Sequence, residues 1–445
     1  MTRAIRVHSL PALSESARLR YFAFMALYVA QGLPSGLLTI AVPAWMAERG
    51  LGTAEVGAYL AVLVLPWSLK LINGVVTDRF GFLAMGRRRP WVLGAQLGLL
   101  TSLVALAAIP DPIAHLYWLT AVGFAVNVFA AFQDVAVDGL AIDVLPTEQQ
   151  ARANGFMWGG KTLGVSGGAA ASGTLLDVYG LGFTAIAIGA LVSLIMLLPL
   201  VLRERPGERL LPWTSGEASA IALQSQLTDW RSIGASLWRA FCLPTSLLIV
   251  GAAFLFAVGD GIVHAMLPVL SVQELGWDDA AYAHLLATAG LVAGVVGMIA
   301  GGAVVDFLGR VRLMVIANAA LVALAVSMGM VPSLWPVRDT LVTYVVTYFM
   351  LYVIITIAFL ATAMVLCWKR VAATQFALYM AVFNLGNAVG AGVTGPLDAL
   401  LEYSHLFFVV AACGALMLVL LWWVDLAEHP RRLSALEEMR RVSCQ

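Results

Sequence analysis

The chain has 445 residues, of which 61% are hydrophobic and only 12% charged, and its 26 basic and 26 acidic side chains cancel. Soluble domains carry roughly a quarter charged residues, so a mean hydropathy of +0.89 excludes an ordinary soluble protein and points to a bilayer. A net charge of zero says nothing of an acidic or basic partner; no nucleic acid is expected.

Apolar stretches nearly free of ionisable groups recur along the chain, each long enough for the ~20 residues that cross hydrocarbon. They predict twelve helices, over 21–47, 56–77, 91–110, 115–143, 152–175, 180–202, 243–270, 280–306, 313–332, 340–367, 372–397 and 404–425. The expected fold class is an all-α membrane protein of two pseudo-symmetric six-helix bundles. A cytoplasmic segment, 1–20, precedes the first bundle, 21–202; a cytoplasmic linker, 203–242, leads to the second, 243–425, and a tail, 426–445, follows. In the linker, Arg203–Arg209 reads as a solvated stretch. Ser219–Trp238 reads as an amphipathic helix on the membrane surface, with Trp230 and Trp238 beside Arg231 and Arg239.

Basic residues set the orientation. With both termini inside, Arg49 and Arg338 face outward, Lys70 and Lys161 lie within the membrane, and the rest of the 26 fall on the cytoplasmic side. That is the bias the positive-inside rule describes. The first twenty residues are polar and carry no cleavable signal. Cys242, Cys367, Cys413 and Cys444 have neither metal-ligand nor disulfide spacing, and no metal or cofactor is expected.

A charge deep in a membrane costs at least ~2.5–3.5 kcal/mol on insertion scales, so each one needs a reason. In the first span, Gln31 stands beside Pro34, a polar amide next to a helix-disturbing residue, as is tolerated where a break lines a cavity. Lys70 lies eight residues before Asp78, and its stem is long enough to snorkel to the cytoplasmic surface. The fourth span holds Gln133, Asp134 and Asp138, the two acids sharing a face. At ~1.5 Å per residue, Lys161 of the fifth span falls at a depth between them. The expectation is an ion pair plus a spare carboxylate, either a fixed network joining two helices or a site for protons or substrate. In the seventh span Asp260 and His264 share a face and suit a proton relay. Asn384 and Asn387 of the eleventh span face the same cavity or bond to neighbouring helices. No phosphate loop, zinc spacing or nucleophile triad is present in context, so no enzyme activity is expected.

One motif occurs twice. Gly74-Val75-Val76-Thr77-Asp78-Arg79 is followed, after an insertion, by Gly86-Arg87-Arg88-Arg89; half a chain later comes Gly302-Ala303-Val304-Val305-Asp306-Phe307-Leu308-Gly309-Arg310. Asp78, at the carboxyl end of its own helix, requires a cation or another helix's amino end. Gly173–Asp177 and Thr394–Asp398 recur at nearly the same offset, which argues for a parallel duplication. Small residues every fourth position, Gly160, Gly164, Gly168 and Ser172, and again Gly386, Gly390 and Thr394, serve close helix packing or a smooth surface on which the halves rock.

The repeated loop resembles that between the second and third helices of major facilitator transporters. Lys70 before Asp78-Arg79, Gly86-Arg87-Arg88-Arg89 with Trp91, Gln133-Asp134 with Asp138, Asp143-Val144-Leu145-Pro146, and Ala373–Leu378 resemble AmpG-type muropeptide permeases and their relatives over about residues 24–420. The resemblance implies a proton-coupled importer of a bulky solute such as anhydro-muropeptide in the bacterial inner membrane; the duplicated architecture implies alternating access, and a monomer is expected. Siderophore or acyl-CoA-like organic-anion permeases, and a non-transporting membrane assembly factor, are the alternatives. By resemblance, Gly74, Asp78, Arg79, Arg87 and Arg88, with Asp306 and Arg310, are cytoplasmic gate elements. In the muropeptide permeases the fifth-span cation is an Arg, where this chain has Lys161.

Overall fold

A computed structural model describes residues 12–49, 53–225, 229–277, 279–398, 400–429 and 431–434. The expected N-terminal segment up to residue 11 and the tail from residue 435 lie outside them. Ten helices among the described residues are long and apolar enough to cross a membrane. The helices are α1 (Ala17–Gly36), α2 (Thr53–Ser68), α3 (Lys70–Arg79), α4 (Arg89–Ala107), α5 (Leu116–Val144), α6 (Gln150–Val201), α7 (Trp230–Phe241), α8 (Pro244–Val269), α9 (Asp279–Val296), α10 (Gly302–Leu308), α11 (Arg310–Met330), α12 (Arg338–Leu366), α13 (Ala372–Asp398) and α14 (Tyr403–Trp422).

Each expected span has a helical counterpart, with differences that have local causes. The second is not one helix: Pro66 offers no N–H to the ladder, α2 ends at Ser68, and Leu69 leaves helical geometry at φ −91 and ψ 7 before α3 begins. The fifth and sixth spans form one helical run, turned at Gly180, whose φ of 74 is available to glycine. The first span continues past Pro34 through a π-helical turn, Leu37–Ala41, into Val42–Glu48. A matching π-turn, Leu270–Glu274, follows α8. Such turns absorb an irregular ladder without exposing it to lipid.

The chain divides into two compact units, residues 1–149 with 163–233, and residues 150–162 with 234–445. In the first, the small residues of α6 bring two backbones together. A side chain at Gly164 would strike Val29 and Gly32 of α1, and one at Gly168 would strike Leu33. In the second, Gly386 and Gly390 of α13 meet Phe254 and Val258 of α8 in the same manner. These stripes therefore serve helix packing inside each unit, the arrangement van der Waals association in lipid requires. Within the second unit the stretch 150–162 packs on Gly297–Gly302: Gly155 lies against Gly297, and Gly302 against Arg152.

The linker corrects the sequence reading at two places. Arg203–Arg209 is only partly solvated: Pro206 and Gly207 are exposed, but Glu204, Arg205 and Glu208 are buried, and Ala12 pairs with Arg203 as an isolated parallel bridge. The region read as one surface helix holds two, Ala220–Ser225 and α7, with residues 226–228 outside the described set. α7 keeps the expected amphipathic character, with Trp230 and Trp238 exposed beside Arg231 and Arg239.

Candidate functional site

In the first unit, buried polar side chains of α1, α3 and α5 converge. Gln31 Nε2 donates to Asp134 Oδ1 at 2.6 Å, and the Lys70 ammonium holds the other oxygen of that carboxylate. Tyr28, one turn before Gln31, donates its hydroxyl to Asp138 at 2.5 Å. Gln133 donates to the Leu27 carbonyl at 2.8 Å and so pins α5 to the backbone of α1. All of these side chains are buried. The carbonyl oxygens of Gln31 and Gln133 have no hydrogen-bond partner, so the site keeps acceptor capacity around two carboxylates. Trp67 carries Lys70 4.5 Å from its ring and donates Nε1 to Asn127 at 2.9 Å. An ammonium taken from water is stable here because it has both a carboxylate and a π-face.

The second unit builds a smaller cluster on Asp260 of α8, again buried. Tyr348 of α12 donates to Asp260 Oδ1 at 2.5 Å, and Asn387 of α13 donates to Oδ2 at 2.7 Å. His264, one turn along α8, lies 3.1 Å from Oδ1 with its side chain 51% exposed. Tyr344, Tyr348 and Tyr352 stack successively along α12, with centroids 5.9 and 6.3 Å apart. The acid thus sits at the head of an aromatic face with a half-exposed imidazole beside it, an arrangement suited to passing a proton.

At the C-terminal ends of α3 and α5, two acids share two guanidiniums. Asp78 accepts from Arg87 at 3.1 Å and Arg88 at 2.5 Å; Asp143 lies 3.5 Å from Arg87 and 3.1 Å from Arg88. Burial acts to lower the Arg88 pKa, but Asp78 and Asp143 outweigh it and hold the group firmly charged. In Arg87 burial prevails, reinforced by Arg88, and lowers the pKa. Glu204 of the linker caps the start of α4, accepting from the backbone N–H groups of Arg87, Arg88 and Arg89 at 3.0, 2.6 and 2.5 Å. Gly86 makes room for it: its φ is +102, and a Cβ there would collide with the Glu204 carboxylate. Arg89 reaches back to the carbonyls of Pro199 at 2.5 Å and Leu200 at 3.0 Å, satisfying orphan groups at the end of α6. Burial raises the pKa of Glu204 despite its backbone donors, and burial together with Glu204 pushes Glu208 up to about 7.

The family model described as Major Facilitator Superfamily matches residues 24–391. The chain belongs to the Major Facilitator Superfamily. It is therefore a multi-pass membrane transporter of a small-molecule substrate, and its relatives and fold are those of permeases, not enzymes. The anhydromuropeptide permease of Escherichia coli K12 is 27% identical over 420 residues, covering 88% of this chain and 77% of the relative. A Rickettsia conorii relative bearing the name AmpG 4 is 27% identical over 429 residues, covering 90% of this chain and 96% of its own. The human organic anion transporter MFSD10 has the same fold, with a TM-score of 0.64 at 15% identity, over 91% of this chain and 98% of that one.

Against this facilitator framework the expected residues sort plainly. Gln31, Gln133, Asp134 and Asp138 come together. A cation on Asp134 is Lys70, which is buried and does not snorkel to the surface. The sequence reading set Lys161 at a depth between Asp134 and Asp138 and did not foresee Lys70 there; Lys161 is half-buried on the stretch that groups with the second unit. Asp260 and His264 meet as expected; Asn387 joins them, whereas Asn384 is exposed. Gly74 is buried on α3. Arg79 does not share the Asp78 cluster described above but lies 5.0 Å from the Phe80 ring and 5.6 Å from that of Trp230. Asp306 is bonded to Arg152 at 2.8 Å within the second unit, a cation that the gate reading with Arg310 omits. Tyr28, Tyr348 and Glu204 escaped the sequence reading. Tyr28 carried a usable signal, standing three residues before Gln31 on one helical face.

Proposed function

We propose that this facilitator is a proton-coupled importer of a bulky, partly anionic solute, with an anhydro-muropeptide as the first candidate, working as a monomer in a bacterial inner membrane with both termini in the cytoplasm. The observation that carries the reading is the buried set Tyr28, Gln31, Lys70, Asp134 and Asp138, which keeps two carboxylates and one ammonium inside a membrane span. A purely structural helix contact has no need of such a costly set. Asp138, held by the Tyr28 phenol, and Asp134, held by Gln31 and Lys70, are the two carboxylates able to take the coupling proton. Lys161, Asp260 and His264 are the second group of proton or solute contacts, and the Asp78–Arg87–Arg88 cluster with Asp306 is the cytoplasmic gate. The name and coverage of the Escherichia coli relative support the muropeptide as first candidate.

The test is uptake of labelled anhydro-muropeptide by bacteria that lack their own permease and express this chain, with and without a protonophore. Uptake sensitive to the protonophore and lost in Asp138→Asn supports both solute and site. No uptake from protein shown to be in the membrane overturns the muropeptide assignment and passes the question to siderophores and other organic anions. The absence of transport for every such solute favours an assembly role.

A further inference from the structure

In the first unit two helical rods run side by side and are tied at both ends. α3 carries Lys70 as its first residue and Asp78 next to its last. α5 carries Asp134 and Asp143. Lys70 binds Asp134 at one end, and Asp78 and Asp143 share Arg87 and Arg88 at the other. At ~1.5 Å per residue the ties lie roughly 12 Å apart along α3 and roughly 13.5 Å apart along α5. The matched spacing closes a frame with little distortion.

One rod of the frame is jointed. Pro66 and Leu69 separate α3 from α2, so α3 is not held in line by a continuous helix. On the far side of the joint Trp67 is fixed to Asn127 of α5. The groups around Asp134 in this unit include Gln31 and Tyr28 of α1, Lys70 of α3 and Asp138 of its own helix. Among them Lys70 bears the positive charge, so its attachment depends on the Asp134 charge more than that of any neighbour does.

We propose that Lys70 is a positioning residue for transport: its bond to Asp134 seats α3 so that Asp78 meets Arg87 and Arg88, and loss of the Asp134 charge swings α3 about Leu69 and loosens the cytoplasmic brace. An ion pair inside a membrane has two discrete arrangements, made and broken, which is what a coupling element requires. The inference holds for any solute; only the proton as natural trigger rests on the proton-coupled reading above.

The experiment is hydrogen exchange, read by mass spectrometry, on the full-length protein in nanodiscs without solute. Wild type, Asp134→Asn, Lys70→Gln, the exchanged pair Lys70→Asp/Asp134→Lys, and Asp78→Asn are compared in peptides covering residues 80–89. Asp134→Asn and Lys70→Gln are each expected to speed exchange there roughly tenfold, with a similar rise in Asp78→Asn. That factor corresponds to about 1.4 kcal/mol of local opening. The exchanged pair should return toward wild type. Wild-type exchange in both single variants overturns the proposal. So does a rise that the exchanged pair leaves in place, because general damage to the core then explains it. Failure of muropeptide uptake has no bearing on either result.

Discussion

Tyr28 donates to Asp138 across 2.5 Å, joining α1 to α5 inside the first unit. The second unit repeats the bond with its ends exchanged. Tyr348 sits on α12, the counterpart of α5, and donates at 2.5 Å to Asp260 on α8, the counterpart of α1. A phenol–carboxylate bond between equivalent helices has thus been kept while donor and acceptor changed sides. The shared requirement is a phenol donor on one oxygen of a buried acid. A charge-assisted bond of this kind is worth about 1.5–3 kcal/mol.

Removing the phenol tests that requirement. Tyr28→Phe should lower the thermal midpoint of the purified protein and depress uptake severalfold. Asp138→Asn should lower uptake further. The double variant should be no worse than Asp138→Asn, because the two residues act through one bond. Additive losses would show that Tyr28 works independently of Asp138.

The Asp78 cluster makes a sharper demand on side-chain shape. Arg88 spans two acids with a fully buried guanidinium, Nη2 on Asp78 and Nε on Asp143. A lysine ammonium is a point charge on a flexible stem and cannot match that fork. Arg88→Lys should therefore destabilise the protein by about 3–5 kcal/mol, the range for breaking a buried pair. Arg87→Lys, whose contacts are longer at 3.1 and 3.5 Å, should cost less. Equal midpoints for the two variants in a thermal unfolding assay would refute the ranking.

Glycine positions provide a test with opposite signs on the same helices. A methyl at Gly168 would strike the Leu33 backbone and one at Gly390 the Val258 backbone, whereas Gly167 and Gly392 have nothing within 4 Å. Alanine is better than glycine in a helix by about 0.5–1 kcal/mol when it fits. Gly167→Ala and Gly392→Ala should hold or raise the thermal midpoint. Gly168→Ala and Gly390→Ala should lower it, since backbone and not a flexible side chain must give way. The same fall at all four positions would mean that close approach of the backbones is not what these glycines serve.

Much of this could be read from the sequence because a bilayer imposes one strong rule, that spans be apolar and their charges have reasons. Helix placement, the repeat, and the set Gln31, Gln133, Asp134 and Asp138 all follow from it. The place of Lys70 beside Asp134 did not. Depth counting singles out Lys161, and a second span read as one straight helix leaves Lys70 to snorkel. The break at Leu69 lets Lys70 begin a new helix while its ammonium lies against Asp134. The folded linker was also illegible: Arg203–Arg209 has the composition of a solvated loop. Its two acids are buried only because the start of α4 offers three backbone donors and Arg205 a fourth.

That burial has a pH signature. Glu208 accepts from the Arg205 N–H at 3.0 Å and lies buried close to the Glu204 charge. Its folded-state pKa of about 7 exceeds that of an exposed glutamate, so the folded protein binds the proton more tightly than the unfolded chain. Stability from this group is therefore fully present below the usual carboxylate range and declines as pH rises toward about 7. Glu208→Gln fixes the side chain in its neutral form and should flatten the change in thermal midpoint between acid and neutral pH, with the benefit greatest at the neutral end. If the variant and the wild type keep the same pH profile, Glu208 is already ionised in the folded protein and the linker is held by Glu204 and the arginines alone.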